Sequence, residues 1–116
     1  MRMQLDEFAV LGDAITVYGE QHQQAMLLEE MAELQKEICK RWRGAENINE
    51  IAEEIADVQI MLDQMMILFC CAGRVKTFRA NKLRRLERRI MDARMQDAAE
   101  VAADPEVDHE LFFGGC

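Results

Sequence analysis

Residues 27–58 read LLEEMAELQKEICKRWRGAENINEIAEEIADV. Two acidic clusters stand in this stretch, Glu29-Glu30-x-x-Glu33 and Glu53-Glu54-x-x-Asp57, each inside a run whose apolar residues recur at helical spacing. On a helix, residues three apart share a face, with Cβ atoms about 5–6 Å apart. Glu30 with Glu33, and Glu54 with Asp57, can therefore each converge on one point. Two such pairs facing each other supply four anionic oxygen donors, the kind of set a hard divalent cation such as Mg²⁺ takes. Uncompensated, the acids repel one another, so the pattern calls for a cation or a basic partner.

Outward from this stretch the periodicity predicts four helices. The first covers about residues 4–18, with Leu5, Phe8, Leu11, Ile15 and Tyr18 on one stripe, and Gly19 as its break. The second covers about residues 20–42, with Leu27, Met31, Leu34 and Ile38 as its core stripe; Glu30, Glu33 and Glu37 fall about 100° from that stripe. Gly44 stops it, and Asn47 or Asn49 is placed to cap the third helix, about residues 48–71. There the expected core stripe is Ile51, Ile55, Val58, Leu62, Met66 and Phe69, with Glu50, Glu54 and Asp57 on a flank. The second half of that helix, with its Met-rich run Met61–Met66, is apolar on nearly every side. A helix apolar all round is buried all round, which in so small a domain points to a subunit interface. Gly73 is the expected next break, followed by a helix over about residues 75–100 that packs inward through Leu83, Leu86, Ile90 and Met95. Residues 1–100 form the expected domain, and 101–116 an acidic tail that includes Asp104-Pro105 and Phe112-Phe113.

Composition agrees with an all-α domain. The chain has 116 residues, one Pro and six Gly, a single-domain length, and its common residues favour helix. No strand-like alternation and no hairpin turn is present. The net charge of −8 argues against a nucleic-acid binder, yet it is unevenly spread. Residues 74–94 hold nine Arg or Lys against two acids, a local +7 that leaves −15 for the rest. Such asymmetry fits a basic helix folded against acidic ones, a basic wall for a phosphorylated ligand, or both.

The four cysteines, Cys39, Cys70, Cys71 and Cys116, lack C-x-x-C spacing. Cys70 and Cys71 lie in an apolar run and are expected to be buried thiols of a reducing compartment. No signal-peptide h-region stands at the N-terminus. The apolar stretch 60–72 is short for a bilayer span and contains Asp63 and Gln64. A cytoplasmic protein without a membrane partner is expected.

The acids have a plain reading as well, since surface helices often carry Glu in runs and a single E-x-x-E says little. Two such clusters, both flanking a core stripe and separated by a short turn, are the pattern of a metal site. A di-iron bundle would require Glu-x-x-His motifs, and His22 and His109 stand at neither required position. All-oxygen ligation favours Mg²⁺, with Mn²⁺ as a substitute. Mg²⁺ keeps waters and takes further ligands from substrate phosphates, which points to phosphate-ester or anhydride chemistry.

These residues resemble a known family, the all-α nucleoside triphosphate pyrophosphohydrolases, which include MazG-type enzymes, dimeric dUTPases and dCTP pyrophosphatases. Its E-E-x-x-E, linker, E-x-x-D signature is matched by Glu29-Glu30-Met31-Ala32-Glu33 and Glu54-Ile55-Ala56-Asp57. The likeness extends to Leu34…Cys39-Lys40-Arg41-Trp42-Arg43-Gly44, to Asn49-Glu50…Ile55-Ala56-Asp57-Val58 and to Asn81-Lys82-Leu83-x-Arg85-Leu86. It covers about residues 20–90 and is closest to short single-domain MazG-like proteins of phages and bacteria. The resemblance implies a four-to-five-helix bundle completed by oligomerisation as a homodimer or homotetramer. It also implies Mg²⁺-dependent hydrolysis of a nucleoside triphosphate, with dNTPs favoured, to monophosphate and pyrophosphate.

By the same resemblance Glu30, Glu33, Glu54 and Asp57 would hold the metal, and Glu29 and Glu53 would act as catalytic groups that orient water. Lys40, Arg43, Asn81, Lys82 and Arg85 would contact substrate. Cations on a long helix are more commonly just solvated, and Trp42 at a helix end is as readily a packing residue as a base-stacking one. Two alternatives remain open: a non-catalytic helical module that docks a basic partner through its acidic face, and a hydrolase acting on a non-nucleotide pyrophosphate.

Overall fold

The computed structural model describes residues 6–103. Among these the secondary structure is entirely helical: α1 Glu7–Tyr18, α2 Glu20–Trp42, α3 Ile48–Leu68 and α4 Ala72–Ala103. The chain divides into two compact units, Met1–Val75 and Lys76–Cys116. The expected α-helical class is therefore observed, with helix ends set by identifiable devices. Asp6 caps α1, its Oδ1 accepting the Ala9 N–H at 3.2 Å. Gly19 and Gly44, at φ 94° and 99°, take up the left-handed backbone that ends α1 and α2 at little steric cost.

Within the first unit, α2 and α3 form an antiparallel hairpin and make its most extensive contact. Its seam is crossed by three polar pairs. The Gln23 Nε2–H donates to Gln64 Oε1 at 2.8 Å, the Glu30 carboxylate meets that of Glu54 within 4.8 Å, and the Asn47 Nδ2–H donates to Glu37 Oε2 at 2.7 Å. Numbers rise on α2 as they fall on α3, so the pairs fix both direction and register. The buried apolar side chains among the described residues are Met61 and Met65, from the Met-rich run that the sequence assigns to a core or an interface.

The expected stripes are only partly covered. On α2 Leu27 and Leu34 are half-buried but Met31 and Ile38 are exposed, and the buried residues are Gln23 and Glu37. On α3 Ile51, Val58 and Met66 are half-buried but Ile55, Leu62 and Phe69 are exposed, and the buried residues are Met61, Gln64 and Met65. In α1, Phe8 and Tyr18 of the expected stripe are exposed, and Leu5 lies outside the described residues. The reason is physical: polar pairs that satisfy one another can occupy a seam, and an apolar stripe can stay open.

Three further expectations are corrected. Asn47 precedes α3 but makes no side-chain cap there; its amide turns back to α2, and Asn49 lies inside α3. The break after α3 is Cys70, at φ 51°, and Gly73 is in the first turn of α4. The Cys70 and Cys71 N–H groups donate to the Ile67 and Met66 carbonyls, the two bonds of a Schellman motif, in which Gly is the usual left-handed residue. Cys70 is thereby exposed and Cys71 only half-buried, so neither is the buried thiol expected from the apolar run.

Helix α4 has no buried residue; Leu83, Leu86, Ile90 and Met95, expected to be its inward stripe, are exposed. It also continues three residues past the expected domain end. Cys116, His109 and the rest of the tail from residue 104 lie outside the described residues.

Candidate metal centre

The middle pair of the hairpin seam is where the acids gather. Glu30, about two turns from both Gln23 and Glu37 along the same face of α2, points at α3. Glu54 and Asp57, three apart on α3, point back. One carboxylate oxygen from each of the three lies within 4.8 Å of the other two. Glu30 and Glu54 are half-buried and Asp57 is exposed, so the cluster opens to solvent on one side of the hairpin. Of the four predicted ligands the structure brings these three together; Glu33, half-buried one turn further along α2, is outside the group.

The electrostatics show what crowding does. The Glu30 carboxyl is held above the ordinary carboxylate range, first by burial, next by its hydrogen bond with Glu54, then by repulsion from Asp57, Glu54 and Glu29. Glu54 nevertheless keeps one oxygen, Oε2, buried and without a hydrogen-bond partner. A buried acceptor left unmade is costly. A cation placed among the three carboxylates would relieve both the repulsion and the orphan oxygen, and the all-oxygen donor set suits Mg²⁺ or Mn²⁺. The residues present thus fit such an ion.

On the wheel, Glu29, Glu33, Lys36, Lys40 and Arg43 of α2 and Glu50, Glu53 and Asp57 of α3 fall on the same side of the antiparallel hairpin. The candidate catalytic acids Glu29 and Glu53, both exposed, therefore flank the cluster's open mouth. Lys40 is engaged, its Nζ lying 3.2 Å from Glu37 Oε1, while Arg43 is exposed at the end of α2. Asn81, Lys82 and Arg85 share a face of α4 and are exposed; Asn81 Oδ1 accepts from Arg84 Nη1 at 3.4 Å. Trp42 is exposed.

Two features of the site region carry no sequence signal of their own. Glu37 lies below the ordinary carboxylate range, chiefly through the Asn47 amide and then Lys40, and Asn47 also donates to the Glu37 carbonyl at 2.9 Å. The Gln23–Gln64 pair, 5% and 4% exposed, is joined by His22, whose Nδ1 lies 2.8 Å from Gln23 Oε1. Both pairs bracket the acidic cluster and hold it in register. No protein-family model, curated protein or solved structure matches the chain. Among the described residues no helix is long and apolar enough to cross a membrane.

Proposed function

We propose that the chain is a Mg²⁺-dependent hydrolase that splits nucleoside triphosphates, deoxynucleotides favoured, into the monophosphate and pyrophosphate. The observation that carries the reading is the convergence of Glu30, Glu54 and Asp57 from two helices, with a buried Glu54 oxygen that nothing else satisfies. The sequence resemblance to all-α nucleoside triphosphate pyrophosphohydrolases supplies the reaction. A divalent ion bound there would neutralise charge developing on phosphate oxygens.

The protein's own part is to hold three carboxylates at one point on a rigid hairpin, with Glu33 one turn away for a further ligand or water. Glu29 and Glu53, at the open side, accept hydrogen bonds from the attacking water and orient it. Lys40 and Arg43, on that same side, compensate the triphosphate. The substrate role of Asn81, Lys82 and Arg85 rests on the resemblance alone. The enzyme acts as a homo-oligomer in the cytoplasm.

The first experiment is pyrophosphate release from a panel of triphosphates with Mg²⁺, alongside thermal melting with Mg²⁺ alone, nucleotide alone and both. A ligand that binds only the native state raises stability by about 2.7 kcal/mol at 100 times its Kd. Turnover together with a Mg²⁺-dependent shift is expected. A module that merely docks a basic partner would show neither, and turnover of non-nucleotide pyrophosphates alone would move the substrate class.

A further inference from the structure

The row of α2 that carries the charged residues of the site begins with an aromatic pair. His22, Glu29, Glu33, Lys36, Lys40 and Arg43 follow a 7-4-3-4-3 spacing and so share one face of the helix. At the head of that row the His22 ring stacks on Tyr18, the last residue of α1, with centroids 5.7 Å apart and planes 29° from parallel. Both side chains are exposed, Tyr18 at 62%. The His22 ring is also held at its edge. An amide oxygen only accepts, so the His22 Nδ1–H donates to Gln23 Oε1, at 2.8 Å. Gln23 in turn is anchored to Gln64 across the seam. An exposed imidazole is thus fixed to the same buried pair that sets the register of the hairpin.

Tyr18, four residues before His22, takes one face of the ring and leaves the other for a ring lying further along the row. There the next turn of α2 presents Ala25, exposed and small, beside half-buried Met26. A flat ring laid against His22 would meet no long charged side chain before Glu29. Glu30 is eight residues from His22, about 12 Å along the axis, and a stacked ring takes up about 4.5–7 Å of that. What remains is the span of a sugar and its first phosphate. Trp42, the one Trp of the chain, falls about 150° from this row and is on the far side of α2.

We infer that the His22 ring, backed by Tyr18, is the shelf on which the base of the substrate stacks, so that the nucleotide lies along α2 with its terminal phosphates toward Lys40 and Arg43. The inference rests on the hydrolase reading for the kind of ligand, and adds its base contact and its direction. Charge sets the direction: the row is uncharged at Ala25, acidic at the cluster and basic from Lys36 onward. The most anionic end of a triphosphate is attracted to that basic end. Stacking tolerates any base, because every base has a π face, so the shelf demands a base without choosing one. Neither ring touches the reacting phosphates, and both are positioning residues.

The test has a kinetic arm and a binding arm. For the deoxynucleoside triphosphate that turns over fastest, His22→Ala should raise KM roughly 10–100-fold, the range for loss of one base–aromatic stack. It should leave kcat within about a factor of two, as removal of a contact made equally before and in the transition state does. Tyr18→Ala should raise KM less, and His22→Phe, which keeps a flat ring, should recover most of the loss. Inorganic tripolyphosphate, a competitor without a base, should inhibit wild type and His22→Ala equally.

The binding arm is proton NMR of the full chain with Mg²⁺ and an α,β-imido deoxynucleoside triphosphate, which resists cleavage at that bond. The chain has two His, and the His22 ring signals are assigned by their absence from His22→Phe. They should move upfield with the analogue and hold still with tripolyphosphate. Unmoved signals at saturating analogue overturn the inference, as does a His22→Ala loss that falls on kcat and weakens tripolyphosphate as well. Turnover that persists in either case leaves the hydrolase reading intact. Shifted signals without any turnover do the reverse, keeping the shelf and removing the hydrolase. Should His22→Ala fail to fold, the wild-type NMR arm decides.

Discussion

Two levels of one seam, marked by Asn47 and Glu54 seven residues apart in the chain, treat carboxylates in opposite ways. At the Asn47 level, Glu37 is buried and has partners: the Asn47 amide bonds both its carboxylate and its backbone carbonyl, and Lys40 adds a charge. At the Glu54 level three acids share one space, and no cationic side chain stands among the causes that set the Glu30 carboxyl. The first level resembles structure and the second resembles a site. A protein under pressure only for stability has no reason to keep the second, because buried like charges raise the free energy of the folded state. Each level keeps one buried oxygen without a hydrogen-bond partner, Asn47 Oδ1 and Glu54 Oε2, so what separates them is charge: compensated around Glu37, crowded around Glu30, Glu54 and Asp57.

The sharpest way to break the comparison is to remove one acid at the unsatisfied level. Glu54→Ala or Asp57→Ala should lower pyrophosphate release by at least about 100-fold, the scale for loss of one electrostatic group in a preorganised site. Helical content by circular dichroism should be unchanged, and Tm without metal should be equal or higher. A fall in Tm, with turnover retained, would make this level structural after all.

Asn47→Ala probes the other level and should give the reverse. It leaves the Glu37 carboxylate and carbonyl short of a donor, so Tm should drop by roughly 4–8 °C, the response of a small domain to about 1 kcal/mol. Mg²⁺ should still raise the Tm of this variant. If Asn47→Ala instead abolishes the Mg²⁺ response without lowering Tm, the two levels are not distinct.

Much of this contrast was legible beforehand, and the missing part is instructive. Spacing placed Glu54 and Asp57 on one face of α3, because i, i+3 geometry on a helix is local and hardly depends on what the helix packs against; that Glu30 meets them while Glu33 lies outside the group is set by how the two helices pack. The existence of four helices followed from periodicity for the same reason. Rotation about each helix axis did not, since it is set by tertiary contact. Met31 and Ile38 outcompete Gln23 and Glu37 on any hydrophobic scale, yet they are exposed while the two polar residues are buried. Its polar pairs are forty-one and ten residues apart in the chain, so no window of sequence shows that they satisfy each other. Cys70 misled locally, standing where the Schellman motif normally has Gly.

The Gln23–Gln64 pair at the third level sharpens the comparison through a mutant cycle. Gln23→Leu alone strands a buried Gln64 amide and should cost about 1–3 kcal/mol. Gln23→Leu with Gln64→Leu removes both partners and should restore most of the loss, giving a coupling of at least about 1 kcal/mol in chemical denaturation. Additive costs would mean that the pair holds no register and that the cluster is positioned by α1 or by Met61 and Met65 instead.

The smallest expected effect is in pH, where the two levels have opposite signs. Glu30 is raised, so its protonated form is favoured by folding. Its contribution is present below the ordinary carboxylate value and is lost as pH rises through the raised one. Glu37 is lowered, so its contribution is present above the ordinary value and is lost as pH falls through the lowered one. Metal-free Tm should therefore sag on both sides of a mildly acidic maximum. Glu30→Gln should flatten the alkaline side only, and Glu37→Gln the acid side only. Saturating Mg²⁺ should also flatten the alkaline side, because a cation among the carboxylates replaces the proton and competes with it less as pH rises. An alkaline slope that neither Glu30→Gln nor Mg²⁺ alters would show that the crowding at the Glu54 level is relieved by solvent, and that its acids are no more primed for a cation than Glu37 is.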